Sequence, residues 1–289
     1  MIEHATILTA LVTPFTATDE IDWPALDALV DRLIAAHTDG FVVGATTGES
    51  PTLTHDEKHA LVTHVIAQVA GRASIVANVG TNNTRESAAT AREFSALPGV
   101  DAVLAVTPYY NKPSQAGIIA HFEAIADASS KPVIIYNIPG RVVVTVTNET
   151  LATLAQYPNI GGVKQCTTAE DLAWLVAHTP SDFAVYTGED DQTLAAIQAG
   201  ARGVISVASH LYGPEMHAMI EAERAGDHAA AAQAMAWLTP RMNALFAFPS
   251  PEPVKAVLAA RGELANYLRL PLVPLTAAEQ AQVMTSLED

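Results

Sequence analysis

Apolar residues recur along this chain in two alternating patterns. Short runs rich in Val, Ile and Ala, without polar alternation, lie at residues 7–12, 41–43, 74–78, 103–106, 133–136, 160–164, 184–187 and 204–207. Nearly continuous apolar runs of this length mark strands covered on both faces, as in a parallel sheet. The segments between them carry helical spacing. In 23–37 the stripe is Leu26, Leu29, Val30, Leu33 and Ile34, with Asp22 placed as N-cap and Pro24 in the first turn. Thr54 and Glu57 have the spacing of a capping box opening a helix through residue 69. Further helices are predicted over 84–97, 114–129, 148–156, 168–178 and 190–199, and Gly71, Gly99 and Gly200 stand where helices should stop.

Eight strands alternating with helices over about 210 residues predict a (β/α)8 TIM barrel, an α/β fold. The competing arrangement is a doubly wound open sheet. That fold usually has a glycine-rich phosphate loop after its first strand, and here the first strand runs into Thr13-Pro14-Phe15 instead. Beyond residue 207 only helical patterns follow, at 214–225, 227–248, 253–260 and 276–287. The expected organisation is a catalytic barrel at 1–212 and a C-terminal α-helical region at 213–289.

Composition narrows the function classes. With 289 residues, 49% of them hydrophobic and 16% charged, the chain can bury a substantial core, which excludes intrinsic disorder. Lys and Arg number 15 against 31 Asp and Glu, a net charge of −16. Nucleic acids and anionic membrane surfaces both demand the opposite sign. No apolar run approaches the roughly 18 residues of a membrane span. Glu3 and the absence of a basic stretch argue against a signal peptide at the N-terminus. The single cysteine, Cys166, fits a reducing compartment, so a cytoplasmic location is expected. The sequons at Asn82 and Asn148 then read as chance matches.

In a barrel of this kind, chemistry sits at the C-terminal ends of the strands. That rule selects residues 44–50, 107–111, 136–141, 164–166, 188–191 and 205–206. Lys164 is the sharpest candidate. Burial on a strand inside the barrel should lower its pKa and make a neutral amine available for Schiff-base formation with a carbonyl. The alternatives are a lysine paired with a carboxylate such as Glu49, or one reaching out to solvent. Tyr136 offers a phenol that can relay protons, or a core aromatic with a satisfied hydroxyl. Thr46 and Thr47 offer hydroxyls and turn amides able to bind a carboxylate, or ordinary turn capping. Arg141 can grip a carboxylate bidentately, or form a surface salt bridge.

Taken together, the motifs resemble the dihydrodipicolinate synthase / N-acetylneuraminate lyase family of pyruvate-dependent class I aldolases. The resemblance spans essentially the whole chain. It runs from Thr13-Pro14-Phe15 through residues 45–50 and 107–113 to Tyr136-Asn137-Ile138-Pro139, Gly162-Val163-Lys164, residues 203–206 and the tail at 270–275. It implies a Schiff base between Lys164 and pyruvate, with Tyr136 as proton donor and acceptor. Thr46 would link Tyr136 to Tyr110, and Tyr110 would reach in from a neighbouring subunit. Thr47 and the Ile205 backbone would hold the pyruvate carboxylate, and Arg141 the carboxylate of a second substrate. No metal and no organic cofactor is implied.

Within the family, the Thr46-Thr47 pair and Arg141 resemble the synthase branch, which joins pyruvate to aspartate semialdehyde in lysine biosynthesis. A lyase of a 2-keto-3-deoxy sugar acid or of N-acetylneuraminate is the alternative. A catalytically dead barrel is opposed by the joint presence of Lys164, Tyr136, Thr46 and Tyr110. Two departures stand out: Ala45 where the family usually has glycine, and Val142 where threonine is usual. The resemblance also implies a homotetramer built as a dimer of dimers, and a regulatory lysine site at Ser50, Pro51, His55, Lys58, Asn82, Glu86 and Tyr109. Pro51 and the cationic Lys58 are unusual there, so weak or absent inhibition by lysine is expected.

Three other features carry less. His55 and His59 have an i, i+4 spacing without a third ligand in register, so a solvated helix face is the expectation. Residues 189–191 offer carboxylates for Mg²⁺ or, by preference, a helix N-terminus. Cys166 lacks an evident histidine partner and reads as a small buried residue. Finally, the charge of −16 should not attract carboxylate substrates, so local positive features must bind them.

Overall fold

The computed structural model describes residues His4 to Glu288. Its strands are β1 (Ile7–Ala10), β2 (Gly40–Val43), β3 (Ser74–Asn78), β4 (Ala102–Val106), β5 (Val133–Asn137), β6 (Ile160–Gln165), β7 (Ala184–Thr187) and β8 (Gly203–Ser206). They close into a barrel in sequence order. The helices are α1 (Trp23–Ala35), α2 (His55–Val69), α3 (Thr84–Ser95), α4 (Gln115–Ala128), α5 (Pro139–Val142), α6 (Asn148–Leu154), α7 (Ala169–His178), α8 (Thr193–Gln198), α9 (Ser209–Arg224), α10 (His228–Ala244), α11 (Glu252–Ala260) and α12 (Ala277–Glu288). This is the (β/α)8 TIM barrel that the alternating pattern predicts. Among the described residues no helix is long and apolar enough to cross a membrane.

The chain condenses into two compact units. One comprises Ser74–Ile205 with the chain up to Thr6, and the other Ile7–Ala73 with the chain from Ser206 onward. In the first unit, β3 to β8 pair in parallel and their apolar residues are buried on both faces, which is why the runs lack polar alternation. In the second, β1 pairs with β2, α9 packs on β1, and α10 lies along α9 and against α12.

Local chemistry sets the boundaries. The Asp22 side chain accepts from Ala25 N at 3.1 Å, and Thr54 and Glu57 form the full capping box, as their spacing predicts. Strand β1 stops at Ala10, short of the predicted 12, because the N–H of Val12 donates to His210 Nε2 (3.2 Å) rather than to a neighbouring strand. The helix expected at 190–199 divides into a 3-10 turn at Asp190–Gln192 and α8, where Thr193 Oγ1 donates to Asp190 O at 2.6 Å. Helix α9 begins at Ser209 instead of 214. A kink at Tyr212 (φ −128°) separates its first turn from the regular part, so Pro214 sits where a first-turn proline is tolerated. The four-residue α5 was missed, being too short to show a period.

Candidate active site

Lys164 sits next to last on β6, and its Cα pairs with Tyr136 of β5 on one side and Tyr186 of β7 on the other. Paired residues of parallel strands project to the same face, so three side chains share one level of the barrel. All three are buried. Lys164 Nζ lies 4.4 Å from the centroid of the Tyr136 ring, within cation–π range. The Tyr136 carbonyl accepts from both the amide (2.9 Å) and the hydroxyl (3.0 Å) of Thr107, which fixes the backbone under the phenol. Tyr186 donates its hydroxyl to Ala5 O at 3.0 Å, so its ring is a fixed wall beside Lys164.

Sequence reasoning expected burial to depress the Lys164 pKa. The structure corrects this. Burial disfavours the ammonium, but its coulombic interactions with Tyr136, Cys166, Asp190 and Glu189 outweigh that, and the pKa lies above the ordinary lysine range. The resting residue is an ammonium. Glu49 is not its partner either, because that carboxylate is engaged by Lys255 in the other unit. Burial pushes the Cys166 thiol up to about 12, so it is an inert wall rather than a nucleophile. Asp190, weighed from sequence as a cap or cation ligand, is 2% exposed and acts on Lys164 through its charge.

Past the strand ends, backbone bonds prolong the sheet. Cys166 N donates to Asn137 O and Gly188 N to Gln165 O, at 2.9 and 2.8 Å. Asn137 is fully buried and its side chain is saturated. Its amide donates to Val146 O (3.1 Å) and Gln165 Oε1 (2.8 Å), and its carbonyl accepts from Val146 N (3.1 Å). These bonds tie down both ends of the 138–146 loop, whose exposed Arg141 lies on α5. Val142 is buried, and Val143 closes the turn in the left-handed region at φ 65°. Tyr186 was missed from sequence, while Thr107 and Asn137 fell among the selected strand-end positions without being given a role. The signal for Tyr186 was its place as the third residue of a strand neighbouring that of Lys164, which requires the register to be known.

Tyr110 follows β4 in a left-handed conformation (φ 73°) and is 88% exposed. Ile205 is buried on β8. Thr46 and Thr47 belong to the second unit, in the turn after β2, where Glu49 N donates to Thr46 O (3.0 Å) and Thr13 Oγ1 to Gly48 O (2.8 Å). The flexible position of that turn is Gly44, at φ +65°, so Ala45 meets no left-handed requirement. Of the candidate regulatory residues, Asn82 donates to Tyr109 O at 3.2 Å beside α3, which carries the exposed Glu86. Ser50 opens a 3-10 turn with Pro51, and His55 and Lys58 lie at the start of α2. Among the described residues no three His, Cys, Asp or Glu side chains gather to hold a metal ion.

A buried lysine against a phenol, at the C-terminal end of a closed parallel barrel, is equipped for carbinolamine chemistry with a proton carrier at hand. The fold and this pair define a class I aldolase-like lyase. The dihydrodipicolinate synthetase family model matches residues 3–289, and the chain belongs to that family. It is 54% identical over 290 residues to the 4-hydroxy-tetrahydrodipicolinate synthase of Leuconostoc citreum, covering all of both chains. Its fold superposes on dihydrodipicolinate synthase of Bacillus anthracis with a TM-score of 0.96, at 42% identity over 100% of this chain and 99% of that one. The Acinetobacter baumannii enzyme, solved with pyruvate, gives a TM-score of 0.95 at 34% identity, over 99% and 98% of the two chains.

Proposed function

We propose that the enzyme joins pyruvate to L-aspartate 4-semialdehyde through a Schiff base on Lys164, giving 4-hydroxy-tetrahydrodipicolinate for lysine biosynthesis. The observation that carries this reading is the buried Lys164 in register with Tyr136. The ammonium first gives up a proton. The free amine then attacks the pyruvate ketone, and the resulting carbinolamine loses water to form an iminium. Its cationic nitrogen makes the C3 methyl acidic, so a proton leaves and an enamine forms. The enamine carbon attacks the aldehyde, whose oxygen takes up a proton. The substrate's own amine next adds to the iminium carbon and expels Lys164, closing the ring. One water is released overall, and Tyr136 moves the protons at the carbinolamine oxygen. Thr46 relays them toward Tyr110, while Thr47 and the Ile205 backbone hold the pyruvate carboxylate and Arg141 the second carboxylate.

The test is direct. Incubation with pyruvate and borohydride should add one reduced pyruvyl group at Lys164, read by intact mass and peptide mapping, and aspartate semialdehyde should then turn over while 2-keto-3-deoxy sugar acids and sialic acid do not. An adduct mapping elsewhere, or turnover of the sugar acids alone, would sink the reading.

In this reading Asn137 orients Arg141 through the loop it holds. Loss of its three hydrogen bonds in Asn137→Ala leaves buried partners unsatisfied, at about 1–3 kcal/mol of stability. The KM for aspartate semialdehyde should rise about tenfold while the yield of the pyruvate adduct holds, for a carboxylate grip weakened by about 1.4 kcal/mol. Unchanged KM in a folded variant would count against the role.

The chain is also proposed to assemble in the cytoplasm as a homotetramer, a dimer of dimers, where the exposed Tyr110 of each partner subunit completes the neighbouring relay. The division into a barrel at 1–212 and a helical region at 213–289 is proposed alongside. With Lys58 at the regulatory site, millimolar lysine should leave most of the activity intact, because two ammonium groups would be brought together. Near-complete inhibition in a lysine titration would refute this.

A further inference from the structure

The second unit holds a buried ion pair that the chemistry above does not use. Glu49 closes the turn containing Thr46 and Thr47, and is itself 1% exposed in the left-handed region (φ 57°, ψ 38°). A non-glycine residue adopts that conformation only when its surroundings hold it there. What holds Glu49 comes from the far end of the chain. Its Oε1 accepts from Lys255 Nζ of α11 at 2.5 Å, and its Oε2 from the Arg269 amide at 3.0 Å. Lys255 is fully buried, donates also to Tyr267 O (2.9 Å), and lies 4.6 Å from the Phe15 ring centroid.

The network extends outward from there. The Arg269 guanidinium also lies over the Phe15 ring, 4.4 Å from its centroid, grips both oxygens of Glu57 (2.9 and 2.6 Å), and bonds Thr52 O and Asp19. Burial outweighs the pull of Glu49 and lowers the Lys255 pKa, so the pair is costly to maintain. Buried ion pairs contribute little stability beyond what apolar residues of the same size would give. What this pair supplies, and apolar residues would not, is direction: it points the Glu49 backbone, and with it the preceding turn.

We propose that the Glu49–Lys255 pair is a positioning device for the pyruvate carboxylate, by which the C-terminal helical segment sets the Thr46–Thr47 turn. This rests on the reading that Thr47 binds that carboxylate, and makes Lys255 and Glu49 positioning residues for pyruvate affinity.

The experiment follows borohydride-trapped adduct on Lys164 against pyruvate concentration in the full-length protein, for wild type, Lys255→Met, Glu49→Gln and the double variant. Lys255→Met strands a buried carboxylate under the turn, so half-saturation should rise at least about tenfold, with full adduct still reached at high pyruvate. Glu49→Gln, close to isosteric, should raise it at least about threefold. The double variant removes both charges and should fall between wild type and Lys255→Met. A role in stability alone would lower the thermal midpoint without moving half-saturation. Folded single variants with wild-type half-saturation would overturn the proposal while leaving the site reading intact. If Lys255→Met does not fold, Glu49→Gln decides alone. Absence of any Lys164 adduct in wild type would instead overturn the site reading, and this proposal with it.

Discussion

Lys164→Ala is expected to abolish the borohydride-stable pyruvate adduct and to lower kcat by at least roughly a thousandfold, with the fold retained. The residue supplies the covalent attachment itself, and no neighbour can replace it. Cys166 is held protonated by burial, with its pKa near 12, and Tyr186 is engaged with Ala5 O. Fold retention is expected because the truncation removes one side chain and leaves the pairing of β6 with β5 and β7 in place. Circular dichroism and intact mass on one preparation check both halves. An adduct that survives the substitution would end the Schiff-base assignment.

The same residue predicts the pH dependence of loading. Lys164 must be neutral to attack, and its surroundings raise its pKa above the usual range. Below that pKa the neutral fraction grows tenfold for each pH unit. The rate of adduct formation in a single turnover should therefore climb steadily from mildly acidic to alkaline pH. A depressed pKa, as burial alone would produce, gives a flat profile above neutrality. That outcome would show that the surroundings, Tyr136 first among them, do not hold the amine protonated against burial.

These two expectations mark where sequence and structure part. That Lys164 and Tyr136 stand together at the strand ends was legible, because strand ends in a barrel select a few positions and both residues occupy them. The charge state of Lys164 was not. It depends on Tyr136 and Cys166 nearby and also on Asp190, 26 residues later and brought back by a crossing that the sequence presents only as a helix cap. Glu49 shows the same limit more sharply. It was a plausible partner for Lys164 by residue type, yet its cation is Lys255, 206 residues along the chain. Local periodicity carries the elements. It carries nothing about which buried charge meets which, since that is settled by packing between segments with no shared spacing. Arg141 lies between these cases. Its residue type suggested a carboxylate grip, but the α5 turn that carries it and the Asn137 bonds that hold its loop emerge only in three dimensions.

Gly188→Ala is expected to cost about a hundredfold in kcat at a modest cost in stability. Gly188 follows β7, with a φ outside the left-handed region, so space alone decides what fits there. A Cβ at this position would overlap Cys166 Sγ and stand 2.5 Å from Lys164 Cε and 3.0 Å from its Cγ. No backbone atom is among these neighbours, so the protein can relieve the clash by moving two side chains, at about 1–3 kcal/mol. One of the two is the proposed nucleophile. Moving Lys164 by about 1 Å takes its amine off the Tyr136 ring and out of line with the pyruvate ketone, and misplacement of that size costs about a hundredfold. The signature is a low kcat with a thermal midpoint lowered by only a few degrees and an adduct that still forms, slowly, at Lys164. Wild-type kcat in the folded variant would mean that the lysine has more room than Gly188 now leaves it.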